Sequence, residues 1–440
     1  MANGSAREKA KTDLTMTTLI IGGGWSGLAA AVTLSQQGHS VQLLESAKQL
    51  GGRARNISWQ NQHIDNGQHL MIGAYDRMLA TMELVGINPE NAFSRSTMDI
   101  SIHDLHYPTL KLSALSLLPW PLSLAWNLIK SAGLFGFISV ARLQSSIPEI
   151  LKNKDKPVSE WLLSTRQPQR LITQLWEPLC LATLNTPIEQ ASSHLLATVL
   201  QDTLGKGQHA ADALIPKIPL GDIFPHAAAR YISGNGGEIS LQTRVKQVLI
   251  KDKKVSGVIT QDGTQLIADN IILATNPSQC NELLSNIVSI NKATEYPITT
   301  VYLQYPSHIR LSKPMQGMTG TIGQWIFDRS EQTPGLIAIV ISAPGKHEAM
   351  NKQELVQHIS QEVRQFFPEL PDMANDSLVI REKRATFAST VDIETKRPKS
   401  QTDIQGLWLA GDYIANGYPA TLEGAIRNGE NCALQLLNQH

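Results

Sequence analysis

The apolar pattern of this chain opens with a short run ending at Ile21, which reads as a strand. Glycines follow, then an Ala-rich helical stretch to Gln37. Gly38 stops that helix, and 40–44 reads as a second strand ended by Glu45. Far downstream, 221–233 reads as a helix stopped by Gly234-Asn235-Gly236-Gly237. Strands are predicted at 238–250, 255–260 and 265–268, with Asp262-Gly263 as a turn. Residues 270–275 are apolar enough for a strand buried on both faces. Leu407-Trp408-Leu409-Ala410 is a last strand, and a terminal helix runs to Leu437. Between these blocks, 76–215 is mostly helical by pattern. Residues 286–399 mix strands (299–304, 336–342) with a helix at 352–366.

The first turn carries chemistry. Gly22-Gly23-Gly24-Trp25-Ser26-Gly27 is Gly-x-Gly-x-x-Gly between a strand and a helix. Gly22 permits the tight turn, Gly24 lets backbone approach a pyrophosphate, and Gly27 lets the helix pack close to the sheet. The anion then sits on the helix's free N–H groups and positive dipole end. Glu45 follows at about the 20-residue spacing of an acid that takes ribose hydroxyls. A dinucleotide is therefore expected.

Leu50-Gly51-Gly52-Arg53-Ala54-Arg55 comes almost at once after that acid, and Gly411-Asp412 ends the last strand. Gly417-Tyr418-Pro419-Ala420-Thr421 then opens the terminal helix. Together these phrases resemble the FAD-binding amine oxidase and phytoene desaturase superfamily. The resemblance implies FAD, with contacts from Gly22, Gly24, Trp25, Ser26, Gly27, Glu45, Ser46, Gly52, Arg53, Gln68, Val245, Gly411, Asp412, Ala420 and Thr421. N–H groups near Ala420 and Thr421 are expected to stabilise negative charge on a reduced flavin. The fold class is then α/β. A discontinuous Rossmann-like FAD-binding domain (16–75, 216–285 and 400–440) carries an inserted mixed α+β substrate domain (76–215 and 286–399).

Two further phrases, Asp65-Asn66-Gly67-Gln68-His69 through Tyr75 and Trp176-Glu177-Pro178 through Pro187, look like the squalene-associated, phytoene-desaturase-like FAD proteins. The activity this implies is hydroxysqualene dehydroxylation: reductive removal of an allylic hydroxyl from a C30 isoprenoid, giving squalene for hopanoids or sterols. An acid near the flavin is then wanted. His69 is the candidate catalytic residue; the alternative is a histidine that only supports its neighbours by hydrogen bonding. Asp65 is expected to fix a turn with Asn66, and Glu177 to set a helix bend. Amine oxidation, a third rival, would need an aromatic cage beside the flavin, and the 5% of aromatic residues speaks against it; two other rival functions stay open. One is a carotenoid-type desaturase, which runs the flavin in the oxidising direction. The other is a prenyl-lipid escort protein without FAD.

Composition narrows the classes. The 38 basic residues equal the 38 acidic ones, so no net charge draws nucleic acid. The 42% of hydrophobic residues can bury a sizeable core. Cys180, Cys280 and Cys432 show no metal spacing or disulfide framework, which fits a reducing compartment. Residues 1–15 are polar, unlike a signal peptide, and are expected to be a disordered tail. One stretch stands apart: 112–141 holds Lys130 as its only charge. Pro119 and Pro121 are expected to break a helix there. A buried helical pair, a membrane-dipping surface with Trp120 and Trp126 at headgroup level, and a transmembrane span are the readings. The water-insoluble substrate favours a peripheral position on the cytoplasmic face of the membrane and a long apolar tunnel.

Overall fold

The computed structural model describes residues 17–114, 119–284 and 289–439. The expected tail, 1–15, lies outside the described residues, as do 115–118 of the apolar segment and the boundary at 285.

Its centre is a five-stranded parallel sheet in the order Glu238–Ser240, Ser40–Leu44, Thr17–Ile21, Asn270–Leu273, Leu407–Leu409. The strands come from three separated stretches of chain. They are apolar on both faces because both faces are covered. Ile20, Leu43, Ile272 and Trp408 pack against the Trp25–Gln36, Leu220–Gly234 and Leu422–Leu437 helices. Leu19, Ile21, Ile271 and Leu273 pack the other way, under an antiparallel sheet of Val245–Lys251, Lys254–Thr260 and Gln265–Ile267.

The Trp25–Gln36 helix is buried from Trp25 to Ser35, because it lies between this sheet and the terminal helix Leu422–Leu437. Two glycines permit that depth. A Cβ on Gly27 would lie 2.1 Å from the Gly22 carbonyl oxygen. A Cβ on Gly429, in the terminal helix, would lie 2.1 Å from the Ser26 carbonyl oxygen. The two ends of the chain thus meet backbone to backbone.

A second sheet has seven strands, in the order Asp376–Phe387, Glu295–Gln304, Leu336–Ser342, Trp325–Asp328, Met315–Thr319, Asp99–Asp104, Leu110–Ser113. One face packs on the Lys352–Phe366 helix, whose start is fixed by an Asn351/Glu354 capping box. The other face, through Tyr302, Ala338 and Phe327, packs on Ile64 of the Asn56–Trp59/Gln62–Asp65 hairpin.

Four expectations are corrected. The 76–215 block is not helical throughout: Asp99–Asp104 and Leu110–Ser113 join the seven-stranded sheet, and Phe93–Ser96 pairs with Ala213–Pro216. These strands are too short for their alternation to stand out against helical spacing. The 238–250 stretch is two strands in different sheets. Gln242 takes a left-handed φ of 54°, and the N–H groups of Gln242 and Thr243 bond to Ala47 and Glu45 carbonyls between them. Finally, Pro119 and Pro121 start a helix instead of breaking one. Pro119 caps Trp120–Lys152 and Pro121 sits in its first turn, where no N–H is needed. Gly133, at φ 74°, kinks this helix. The buried-pair reading fails too, since only 17% of its most apolar window is buried.

The glycine contact between the chain ends is testable. Gly429→Ala should destabilise the protein by about 1–3 kcal/mol through overpacking. Gly234→Ala, where a Cβ meets nothing within 4 Å, should not. Equal thermal midpoints for the two variants in calorimetry would contradict the close approach.

Candidate active site

The glycine turn folds as the sequence predicts and is braced from three sides. Gly22 N–H donates to the Leu44 carbonyl and Gly51 N–H to the Gly23 carbonyl, so Gly51-Gly52 lies directly beside Gly23-Gly24. Glu45 stands at the end of its strand. One carboxylate oxygen accepts from Gly23 N–H at 2.7 Å, and the other accepts from Ala47 N–H at 2.7 Å and from the Ser46 hydroxyl at 3.2 Å. Thr243 N–H donates to the Glu45 carbonyl, which sets Val245, buried at the start of its strand, close behind.

The arrangement fits FAD. The first helix is capped by Gly24, which offers no side chain, so its first N–H groups are free for an anion. A Cβ on Gly24 would meet only Gly52, with its Cα at 4.0 Å, so the space in front of the helix is kept clear by two glycines. Buried polar atoms without protein partners include Ser26 Oγ, Gln68 Oε1 and His69 Nδ1. Such atoms in a folded protein call for a ligand or water.

From the other end of the chain, Asp412 meets Arg53: the guanidinium donates to Asp412 Oδ1 at 2.5 Å and to the Ala385 carbonyl at 2.8 Å. Asp412 holds the Arg53 pKa above its ordinary value. Gly411 N–H donates to Asn428 Oδ1 of the terminal helix at 2.8 Å. Thr421 caps that helix, its hydroxyl accepting from Gly424 N–H at 3.0 Å. The N–H taken up in this way is that of Gly424, not of Ala420 or Thr421.

Sequence reasoning missed Arg397, which shapes this whole turn. Its buried guanidinium donates to the carbonyls of Asp412 (2.7 Å), Tyr413 (3.3 Å), Tyr418 (2.8 Å) and Ile414, and to Asn416 Oδ1 (3.1 Å). Glu394 balances its charge at 2.7 Å, and Phe387 stacks beneath it at 4.5 Å. Every residue from Asp412 to Tyr418 that it touches lies in the segment joining the last strand to the terminal helix. An arginine before a proline (Arg397-Pro398) carries no such signal in sequence.

His69 follows Gln68 on the stretch between the Gln62–Asp65 and Met71–Ile72 strands. Burial pushes its imidazole down to about 4, opposed by a hydrogen bond with Gly67 and aided by Arg329 and Arg53. The ring is therefore neutral at neutral pH. Gln68 Nε2 donates to the His69 carbonyl at 2.9 Å. Asp65 does not make the expected turn with Asn66. Its Oδ1 accepts from Leu220 N–H at 2.7 Å, capping the Leu220–Gly234 helix from a distance, beside Asn56 Oδ1 on Gly221 N–H. Burial raises Asp65 to about 6, with Arg329 at 4.0 Å working against it.

The 176–187 phrase proves to be a joint. Glu177 begins the Glu177–Leu184 helix after a π-helical turn, as a bend requires. Asn185, in left-handed conformation, donates to Thr386 Oγ1 (2.9 Å) and the Pro297 carbonyl (3.2 Å) and accepts from Ala343 N–H (2.6 Å). It ties the helical block to the seven-stranded sheet. Two small cavities, one lined by Ser94, Pro216 and Arg329 and one by Thr402, Leu407 and Trp408, lie away from the glycine turn, and neither is the long apolar tunnel expected.

Comparison with known proteins agrees with this geometry. A family model described as flavin containing amine oxidoreductase matches residues 25–437. The chain is 28% identical to the hydroxysqualene dehydroxylase of Zymomonas mobilis, over 94% of this chain and 98% of that one. Those of Sinorhizobium fredii and Rhodopseudomonas palustris are 27% and 26% identical. A 15-cis-phytoene desaturase of an Oncidium hybrid is 22% identical, covering 99% of this chain and 80% of that one. The crystal structure of an oxidoreductase from Methanosarcina mazei superposes with a TM-score of 0.74 at 15% identity, over 96% of this chain and 100% of that one.

Arg397 provides the test of this site. Arg397→Lys keeps the charge but loses the planar fork that reaches several carbonyls at once. FAD affinity of the stripped protein, followed by flavin fluorescence, should fall by about tenfold or more, since each charge-assisted bond contributes about 1.5–3 kcal/mol. Lys396→Ala next to it should change little. Equal affinities would show that the turn is set by something else.

Proposed function

We propose that this chain, which belongs to the flavin containing amine oxidoreductase family and is an FAD-dependent oxidoreductase, removes the hydroxyl of hydroxysqualene reductively to give squalene. The observation that carries this reading is the end-to-end similarity to hydroxysqualene dehydroxylases, covering cradle and helical block alike. A second reading, phytoene-type desaturation, draws support from the lower similarity to plant phytoene desaturases. The same proposal places the enzyme in the cytoplasm, peripheral on the membrane that holds its substrate.

Reduced FAD, when bound, supplies two electrons as a hydride. The residues of the chain do the rest. The first amides of the Trp25–Gln36 helix would hold the pyrophosphate, Glu45 the ribose, and Asp412, with its turn set by Arg397, the ribityl chain. The substrate's allylic C–O bond breaks because the cation left behind is delocalised. The oxygen would leave as water on taking a proton from solvent, and the carbon would take the hydride, giving squalene. His69, neutral in its buried setting, holds that hydroxyl by a hydrogen bond and not as a charged acid. The dipole end of the terminal helix, starting at Thr421, stabilises negative charge at the reduced cofactor.

Single turnover tests the reaction. Protein photoreduced without oxygen and mixed with hydroxysqualene should reoxidise and yield one squalene per flavin. If the reduced protein ignores the alcohol and the oxidised protein bleaches with a polyene precursor, the desaturase reading replaces this one.

His69 provides a pH test. Its folded pKa, about 4, lies below the ordinary 6.5. The stability gained by keeping it neutral is complete above about pH 6.5 and is lost as pH falls toward 4. His69→Gln should remove that part of the acid sensitivity, and the single-turnover rate should be flat from about pH 6 to 8. A rate limb near 6.5 that His69→Gln abolishes would show a charged imidazole donating the proton.

A further inference from the structure

The Trp120–Lys152 helix turns large apolar side chains outward on both sides of its kink at Gly133. Leu122, Trp126, Leu134 and Ile138 are 57%, 54%, 58% and 42% exposed, and Phe135 is 86% exposed. Beyond Ile138 the helix turns inward: Leu143, Ile147 and Ile150 are buried in a core with Trp161 and Leu196. Contiguous exposed apolar groups on a folded protein mark a surface meant to be covered.

Charge says by what. Between Asp104 and Glu149 there is no acidic residue, and the charges present are Lys111, Lys130 and Arg142. All three are exposed. Lys130 Nζ lies 5.5 Å from the centre of the Trp126 ring. Apolar and aromatic side chains interleaved with cations alone suit the boundary of an anionic bilayer, where the rings sit among headgroups and the cations meet phosphates. The exposed stretch from Leu122 to Ile138 is only about 25 Å long and kinked at Gly133, short of a hydrocarbon core of about 30 Å.

We propose that this helix face, from Leu122 to Ile138, is a lipid-docking surface that rests in the headgroup layer of an anionic membrane. The docking does not rest on the substrate proposed above.

The test uses the full-length flavin-loaded protein and vesicles of phosphatidylglycerol with phosphatidylcholine, or of phosphatidylcholine alone, separated by flotation. The wild type should float with the anionic vesicles and at least tenfold less with the neutral ones. Trp126→Glu combined with Phe135→Glu should lower flotation at least tenfold, with flavin content and melting unchanged because both sites are exposed. Should that pair unfold, Lys130→Glu serves instead: it should lose the preference for anionic vesicles. Wild type that stays behind with anionic vesicles, or variants that float like it, would overturn the proposal. So would a wild-type dimer that the double variant dissolves without any vesicle binding, which would make the face a contact between copies. Flotation needs no substrate, so vesicle binding by a protein that fails to turn over hydroxysqualene would sink the reaction and leave the docking surface standing.

Discussion

The structure depends on one contact: the terminal helix lying on the first helix with no side chain between them at Gly429 and Ser26. The first helix can bind an anion only if its N-terminus is held at the edge of the parallel sheet. Gly27 lets it sit against Gly22 on one side, and Gly429 lets the terminal helix close on the other. The same terminal helix carries Asn428, which holds Gly411, and Glu423, which is fully buried and accepts from Arg77 and Met78 N–H groups at the start of the Asp76–Leu84 helix. Close packing of backbone therefore fixes both halves of the cofactor cradle together.

Polar groups then fix what packing leaves free. Three buried side chains act at the junctions, each meeting several partners. Arg397 holds the 412–418 turn, Asn185 ties the helical block to the seven-stranded sheet, and Asp65 caps a helix that begins at Leu220. Burying such groups is costly unless their hydrogen bonds are met. Around these three they are met. Around Ser26 Oγ, Gln68 Oε1 and His69 Nδ1, as around several buried polar atoms elsewhere in the fold, they are not.

What the sequence reveals and what it hides follow from distance along the chain. The 17–45 unit is legible because turn, helix stop and acid lie within one continuous stretch. The 352–366 helix is legible because its period and cap are local, and it folds as Lys352–Phe366. Glu45, Arg53 and Asp412 can be picked out as candidates because each sits at a strand end or glycine turn. Their pairing is hidden: nothing local says that Arg53 meets Asp412. Arg397, Asn428 and Gly429 escape notice for the same reason, since their partners belong to other elements. The roles of Pro119 and Pro121 turn on where the helix begins, which an apolar run does not mark.

The central claim is that the two ends of the chain build one FAD cradle. A crystal structure of the FAD-loaded protein tests it most directly. The account predicts the pyrophosphate on the N–H groups of Trp25 and Ser26, the ribose on Glu45, and the ribityl chain beside Asp412 in the turn held by Arg397. FAD bound away from Gly24 and Gly52, with Asp412 out of reach of it, would contradict the account.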